Sequence, residues 1–562
     1  TAMCALFFRC VPRSSRRAPP VVPLSSMNPF DPSPAAAGLS AREARHAFLI
    51  AAAVTLLARG VLAAMLPFTG DEAYFYWWGR NPDWGFYDHP PMVGWWLAAL
   101  SAVSSHPFVL RLPALIVPVL VALMTAAALR GLGPVRAWTG ATLVLLMPLN
   151  AWNVAITTDI PLMLFCGACV VLYLRALRTG RDLDFLLAGL ALAGALMSKY
   201  FAGLLALAIL GHALSRPGPA RVRGLMFVIL GSLPAAAVQI AWNAQHCWPN
   251  VMFNLVNRHG NAGWSLTTPL LYAVSVAYVL TPVMLWSLLR GRGAREVGAP
   301  RADVGASGGE VVTSGAGADL APARHALRWL VAFPFALFAL LSAVKTIGLH
   351  WLASFVAPAV MLFVLTRPAP ALGRALRFAA GFALVHYLVL VALWAAPLHW
   401  FKPLKIYDGL VMTVRPQPLN ARIAPYVDAG FAIASDGYSP AVTIGFNLQR
   451  YVFVFGPGSG HARHDDILTD FRALDGRDIV VVRRKPPEPG EYAPYFERVD
   501  VREHAIEGAV FHFVEGRGFR YAAYRDAVLD EARRRWYAVP PWLPTGPCYF
   551  CDRYFPERAC HR

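Results

Sequence analysis

The sequence predicts an α-helical polytopic membrane protein with about eleven transmembrane helices and a C-terminal soluble α/β domain. Three observations predict it. Hydrophobic residues fill 57% of the 562 positions and the mean hydropathy is +0.45, above the roughly 45–50% apolar content of soluble domains. Apolar runs near the roughly 20 residues needed to cross a bilayer recur from residue 46 to residue 396. Past residue 400 the runs shrink to strand length and alternate with polar turns. The formal charge of +18 comes mostly from Arg in short loops between apolar runs. The positive-inside rule accounts for that distribution, so no nucleic-acid partner is expected.

Residues 1–45, rich in Pro, Ser and Arg, are read as disordered. The run 48–66 is long enough to span and lacks a small-residue cleavage site, which argues against a cleavable signal peptide. Candidate spans are 46–66, 108–129, 138–156, 160–177, 183–198, 200–215, 224–242, 266–288, 329–344, 351–366 and 378–396. The apolar stretch 91–104 is short and opens on two prolines, so it is placed as a re-entrant or surface-lying helix. Residues 46–400 thus form the membrane domain, with a first outward loop at 67–107 and a Gly/Ala-rich linker at 291–324. Strand-like runs at 431–434, 451–455 and 478–483 assign 401–562 to the soluble domain.

Alternate loops differ in charge. One set carries Arg130 and Arg136, Arg175 to Arg181, Arg216 to Arg223, the linker, and Arg367 to Arg377, and is expected to be cytoplasmic. The opposite set carries Asp71, Asp159, Lys199, the segment 242–264 and the segment 345–351. Every polar constellation of interest therefore falls on one outward face.

Thr69-Gly70-Asp71-Glu72 fits a capping box, in which Thr69 and Glu72 satisfy orphan amides at a helix start. Glu72 is read first as that cap and second as a catalytic acid. Asp71, held ionised at the first turn, is suited to accept a proton from an attacking hydroxyl; the alternative is a second capping acid. Tyr74, Tyr76, Trp77, Trp78, Trp84, Phe86, Tyr87, Trp95 and Trp96 suit an interfacial belt and equally a surface for sugar rings or isoprenoid tails. Asp88-His89-Pro90-Pro91 sets an acid and a His ahead of a rigid turn. Two ligands fall short of the three usual for catalytic zinc, so no cofactor is assigned and a divalent metal stays open. Asp159 serves either capping or catalysis. Lys199, Arg258, Lys345 and Arg59 are the cations available to grip a phosphate, with Asp71, Asp159 or the ligand as partners for Arg59. Cys548, Cys551 and Cys560, with His561, are read as a disulfide rather than a zinc clip. Cys166 and Cys169 are read as packing residues.

The runs Thr69-Gly-Asp-Glu-Ala-Tyr-Phe-Tyr76, Tyr87-Asp-His-Pro-Pro91, Thr158-Asp-Ile-Pro161, Ser198-Lys-Tyr200 and Trp242-Asn-Ala-Gln-His-Cys-Trp-Pro249 resemble the bacterial branch of the dolichyl-phosphate-mannose protein mannosyltransferases. That family has the GT-C fold and includes the lipid A aminoarabinose transferases; the resemblance covers about residues 45–400. It implies an inverting transfer of a sugar from a polyprenyl-phosphate donor to an envelope lipid, glycan or protein, on the outer face of a bacterial inner membrane. It also implies that Asp71 is the first-loop catalytic acid, Asp159 a second functional acid, and Lys199 and Arg258 donor-phosphate contacts. Lys345, His89 and Arg59 are counted with the phosphate group, and Tyr74, Tyr87, Asp88 and His350 with the substrate. Asp88-His89 stands where the aminoarabinose transferases carry Glu-Lys, which replaces a permanent charge with a titratable one. A transporter or flippase of lipid-linked sugars is the alternative, although such proteins place ionisable groups at mid-membrane on broken helices.

Overall fold

The structure, a computed structural model, describes residues 39–257, 263–290, 320–456 and 462–558. The described residues from Ala41 onward cluster as one unit. The chain opens with α1 (Ala41–Met65), beginning five residues before the expected span, then α2 (Gly70–Arg80), α3 (Met92–Ser101), α4 (Pro107–Leu110) and α5 (Leu112–Leu129). Next come α6 (Pro134–Leu146), α7 (Pro148–Trp152), α8 (Asp159–Thr179), α9 (Asp182–Leu196), α10 (Ala202–Ser215), α11 (Pro219–Gln245) and α12 (Pro249–Val251). The bundle closes with α13 (Thr267–Leu280), α14 (Pro282–Leu289), α15 (Leu320–Ser342), α16 (Val356–Thr366) and α17 (Ala369–Ala395).

Among the described residues, seven helices are long and apolar enough to cross a membrane, and eight if α13 and α14, bent by 103°, count as one span. The other three expected spans are helical but shorter. The 138–156 run breaks where Met147 turns extended ahead of Pro148, because the proline ring excludes helical geometry from the preceding residue. Helices α9 and α10 have 15 and 14 residues, about 21–23 Å at 1.5 Å per residue, short of the roughly 30 Å hydrocarbon core. The segment expected to be re-entrant or surface-lying forms the ten-residue α3.

Arg59 shows how the bundle accommodates a buried charge. It was expected opposite Asp71, Asp159 or a phosphate. Instead its guanidinium donates to the carbonyls of Ala114, Leu115 (3.3 Å) and Asn153 (3.0 Å). Pro118 inside α5 has no N–H for the carbonyl four residues back, which is that of Ala114. Arg59 supplies the missing donor.

After Ala395 no helix among the described residues qualifies as a span. Helices α18 (Tyr407–Val414), α19 (Pro416–Asp428) and α20 (Tyr438–Leu448) flank a five-stranded sheet of order β2-β1-β3-β5-β4. Its strands are β1 (Ala432–Ser435), β2 (Phe453–Val454), β3 (Ile479–Arg483), β4 (Phe496–Ile506) and β5 (Ala509–Phe519). The first three are parallel and coincide with the strand-like runs; β4 and β5 form an antiparallel hairpin. Its two-residue turn, Glu507-Gly508, has positive φ at both positions (52° and 83°), as a turn that follows the strand twist requires. This part packs directly on the loop 67–107 that follows α1. Phe68 stacks on Phe446 at 4.2 Å, Tyr76 donates to Gln449 at 3.0 Å, and a Cβ on Gly70 would lie 2.6 Å from Ser439 Oγ.

Cys548 is oxidised as expected, but its partner is Cys247, 301 positions away beyond α11. Cys551 is also disulfide-bonded, Cys166 and Cys169 are free and buried, and Cys560 and His561 lie outside the described residues. A bridge over so long a segment restricts the unfolded chain strongly, typically contributing about 2–4 kcal/mol. Cys247→Ser is therefore expected to lower the thermal denaturation midpoint of the oxidised protein, with reductant lowering that of the unaltered chain at least as far because it also opens the bridge at Cys551.

Candidate functional site

The site is built around the start of α2. Thr69 caps the helix by accepting from the Glu72 amide at 3.3 Å, while Glu72 accepts from the Thr69 amide and hydroxyl, each at 3.0 Å. The rest of the Glu72 carboxylate is filled by Arg111, through Nε at 2.8 Å and a terminal nitrogen at 2.7 Å, and by the Ile156 amide at 3.0 Å. Arg111 also donates to the carbonyls of Ala63, Leu66 and Pro67 at 2.8–2.9 Å, where α1 runs out of helical partners. Both side chains are completely buried. Glu72, counted among the catalytic acids, is committed on every side to holding the loop. Its neighbour Asp71 is exposed and makes no side-chain hydrogen bond or ion pair among the described residues.

Glu72 also positions the second acid, since Ile156 lies three residues before Asp159. Asp159 opens α8 and is gripped by Lys199 Nζ at 2.8 and 3.0 Å. Both are nearly buried, and the Lys199 ammonium lies 5.3 Å from the Phe201 ring centre. Thus one expected acid and one expected cation meet, although 40 residues separate them. Phe201 in turn packs on Trp351 at 4.5 Å, which brings the loop carrying Lys345 and His350 toward Lys199. Lys345 is half-buried and His350 exposed there. Arg258 lies outside the described residues.

The third part joins the first loop to the C-terminal region. Tyr74 donates to Asp88 at 3.2 Å, and Arg463 pairs with the other Asp88 oxygen at 3.2 Å. The Arg463 guanidinium lies 4.0 Å from the Tyr438 ring centre and 5.2 Å from that of Phe253, and it feels the charge of Asp71. His464 accepts from the Tyr87 amide at 3.4 Å and its own amide donates to the Tyr74 hydroxyl at 3.4 Å. Burial pushes the His464 imidazole down to about 3, so it stays a neutral acceptor. His89 lies near the rings of Phe75 and Trp78. Asn250, just after α11, ties the same loop down by donating to the carbonyls of Phe86 and Tyr87.

Tyr74, Trp78, Tyr438, Tyr451, His464 and Asp465 line a narrow cleft here. Below it, Asp465 accepts from Tyr451 and the Val454 amide, and Asp466 accepts from Tyr537 at 2.6 Å. Burial pushes these carboxyls up to about 6 and about 7 from an ordinary 3.8. A carboxyl whose pKa rises on folding contributes stability below about pH 4 that is lost as pH climbs through its folded value. Asp466→Asn keeps the acceptor for Tyr537 and is expected to flatten the decline in denaturation midpoint between pH 4 and pH 7 relative to the unaltered chain.

Arg111, Arg463, His464 and Asn250 were not identified from the sequence. Arg111 carried a signal, an arginine within an apolar span being expensive unless paired; the others carried none. The described residues hold no cluster of three His, Cys, Asp or Glu able to bind a metal.

Residues 88–242 match the family model described as dolichyl-phosphate-mannose-protein mannosyltransferase. The lipid A galacturonosyltransferase RgtD of Rhizobium johnstonii is 28% identical over 236 residues, covering 39% of this chain and 49% of that protein. The chain therefore spans about half the length of this curated relative. The crystal structure of ArnT from Cupriavidus metallidurans bound to undecaprenyl phosphate superposes with a TM-score of 0.53 at 13% identity, covering 83% of this chain and 97% of that one. That likeness concerns the fold alone. The chain is thus similar in part of its sequence to a dolichyl-phosphate-mannose-protein mannosyltransferase model and to a lipid A galacturonosyltransferase, and it shares its overall fold with ArnT.

Proposed function

We propose that the chain is an inverting glycosyltransferase that moves a sugar from a polyprenyl-phosphate donor to an envelope lipid, glycan or protein on the extracytoplasmic side of the inner membrane. The observation that carries this reading is the uncommitted Asp71 carboxylate at the rim of a network in which Glu72, Asp88 and Asp159 are all paired. Asp71 takes the proton of the acceptor hydroxyl, the acceptor oxygen forms the new bond to the anomeric carbon, and the bond from that carbon to the phosphate oxygen breaks. Lys199, oriented by Asp159, stabilises the charge developing on the departing phosphate, a contribution that is usually large. The galacturonosyltransferase relative and the ArnT complex with undecaprenyl phosphate support a lipid-linked donor. The Cys247–Cys548 bridge supports an oxidising, extracytoplasmic setting for the outward loops and the C-terminal region.

The test is purified protein in proteoliposomes given radiolabelled polyprenyl-phosphate sugar and an envelope extract. Label passing to an acceptor is the expected result. Label crossing the bilayer still attached to its lipid would instead establish a carrier.

A further inference from the structure

Lys199 precedes α10 and Lys345 follows α15, and toward the opposite ends of these two helices lies a second polar cluster. His212 is ten residues into α10, about 15 Å along the axis from Ala202, and is completely buried. Its Nδ1 is engaged by the Tyr173 hydroxyl at 2.8 Å. His325, near the start of α15, lies with its ring centre 5.0 Å from that of His212. His212 Nε2 and His325 Nδ1 are both shielded from solvent and have no hydrogen-bond partner among the described residues. Arg216 and Arg221 lie within electrostatic reach of both rings, and Arg328 of His325. Among the described residues no carboxylate pairs with these three arginines. Asp184 and Asp182, at the start of α9, pair with Arg175 and Arg223.

Two buried imidazole nitrogens without hydrogen-bond partners, within electrostatic reach of the exposed Arg216 and Arg328 and the half-buried Arg221, have one ligand class in common: an oxyanion. A cation is excluded by the surrounding positive charge, and a phosphate oxygen would accept from imidazole N–H and guanidinium alike. Leu210 and Leu214 expose apolar surface on the same helix, where acyl chains can run beside a bound headgroup. We infer that His212, His325, Arg216, Arg221 and Arg328 form a phosphate-binding site, for a phospholipid headgroup or a free phosphate, remote from Asp71. The site does not depend on the transfer reaction. Tight packing fixes its frame: a Cβ on Gly211 would lie 2.6 Å from the Trp329 ring.

The full chain in detergent is titrated with phosphatidylglycerol or phosphatidylcholine and its adducts are counted by native mass spectrometry; a parallel thermal melt uses inorganic phosphate without lipid. Preferential retention of phosphatidylglycerol, reduced on the order of tenfold or more in Arg216→Gln/Arg221→Gln at about fivefold per charge, supports a headgroup site. A melt raised by inorganic phosphate in the unaltered chain but not in that variant supports a free-phosphate site. Arg130→Gln/Arg178→Gln, on the same arginine-rich end, should leave both readouts unchanged. The inference is overturned if the unaltered chain shows neither preference nor phosphate shift, which needs no variant to fold, or if the control variant loses as much as the test variant.

Discussion

Asp71→Asn is expected to lower sugar transfer by about 10²–10⁴-fold, the range contributed by a positioned general base, with the donor KM and the denaturation midpoint little changed. The substitution preserves shape and removes only the charge, and Asp71 is exposed with no hydrogen bond for the fold to lose. Initial rates at saturating donor, beside a thermal melt, check both halves of the expectation. An acceptor that is already anionic, such as a phosphate, would need no base. In that case Asp71→Asn retains most of the activity, and the proton-accepting role is withdrawn.

Arg111→Met is expected to act on stability instead, costing about 3–5 kcal/mol, as does breaking a buried ion pair from one side. The Glu72 carboxylate would lose two of its charged hydrogen bonds, and three carbonyls at the end of α1 would lose their donor. Replacing both partners, in Glu72→Met/Arg111→Met, should recover part of the loss, because the uncompensated charge goes with it. Unfolding in detergent, followed by thermal or chemical denaturation, measures the three variants together. If Arg111→Met melted like the unaltered chain, Glu72 would not be the structural keystone that its contacts indicate.

What the sequence revealed and what it withheld divide along sequence separation. The Thr69–Glu72 cap was legible because its partners lie three residues apart and the pattern is local. The first three strands were legible from short apolar runs bounded by turns. Lys199 and Asp159 were each singled out as rare charges at span ends, yet nothing in the sequence said that they would pair with each other. Arg463 and His464 reach Asp88 and Tyr87 across 375 and 377 positions, and such contacts leave no periodic trace. Arg59 stands out in the sequence as an expensive charge in an apolar helix, but its carbonyl partners do not. The carbonyl it serves is left unpaired by a proline on a different helix. Helices α9 and α10 lie within two residues of the apolar runs 183–198 and 200–215, because a local run of apolar residues locates a helix without any distant partner.

The bond between Cys247 and Cys548 turns the intervening stretch of chain into a covalent ring. A single protease cut inside that ring opens it without releasing a fragment. A nicked molecule would therefore migrate as one species on an unreduced denaturing gel and separate into pieces only once thiol is added, so intactness of this protein has to be judged under reducing conditions.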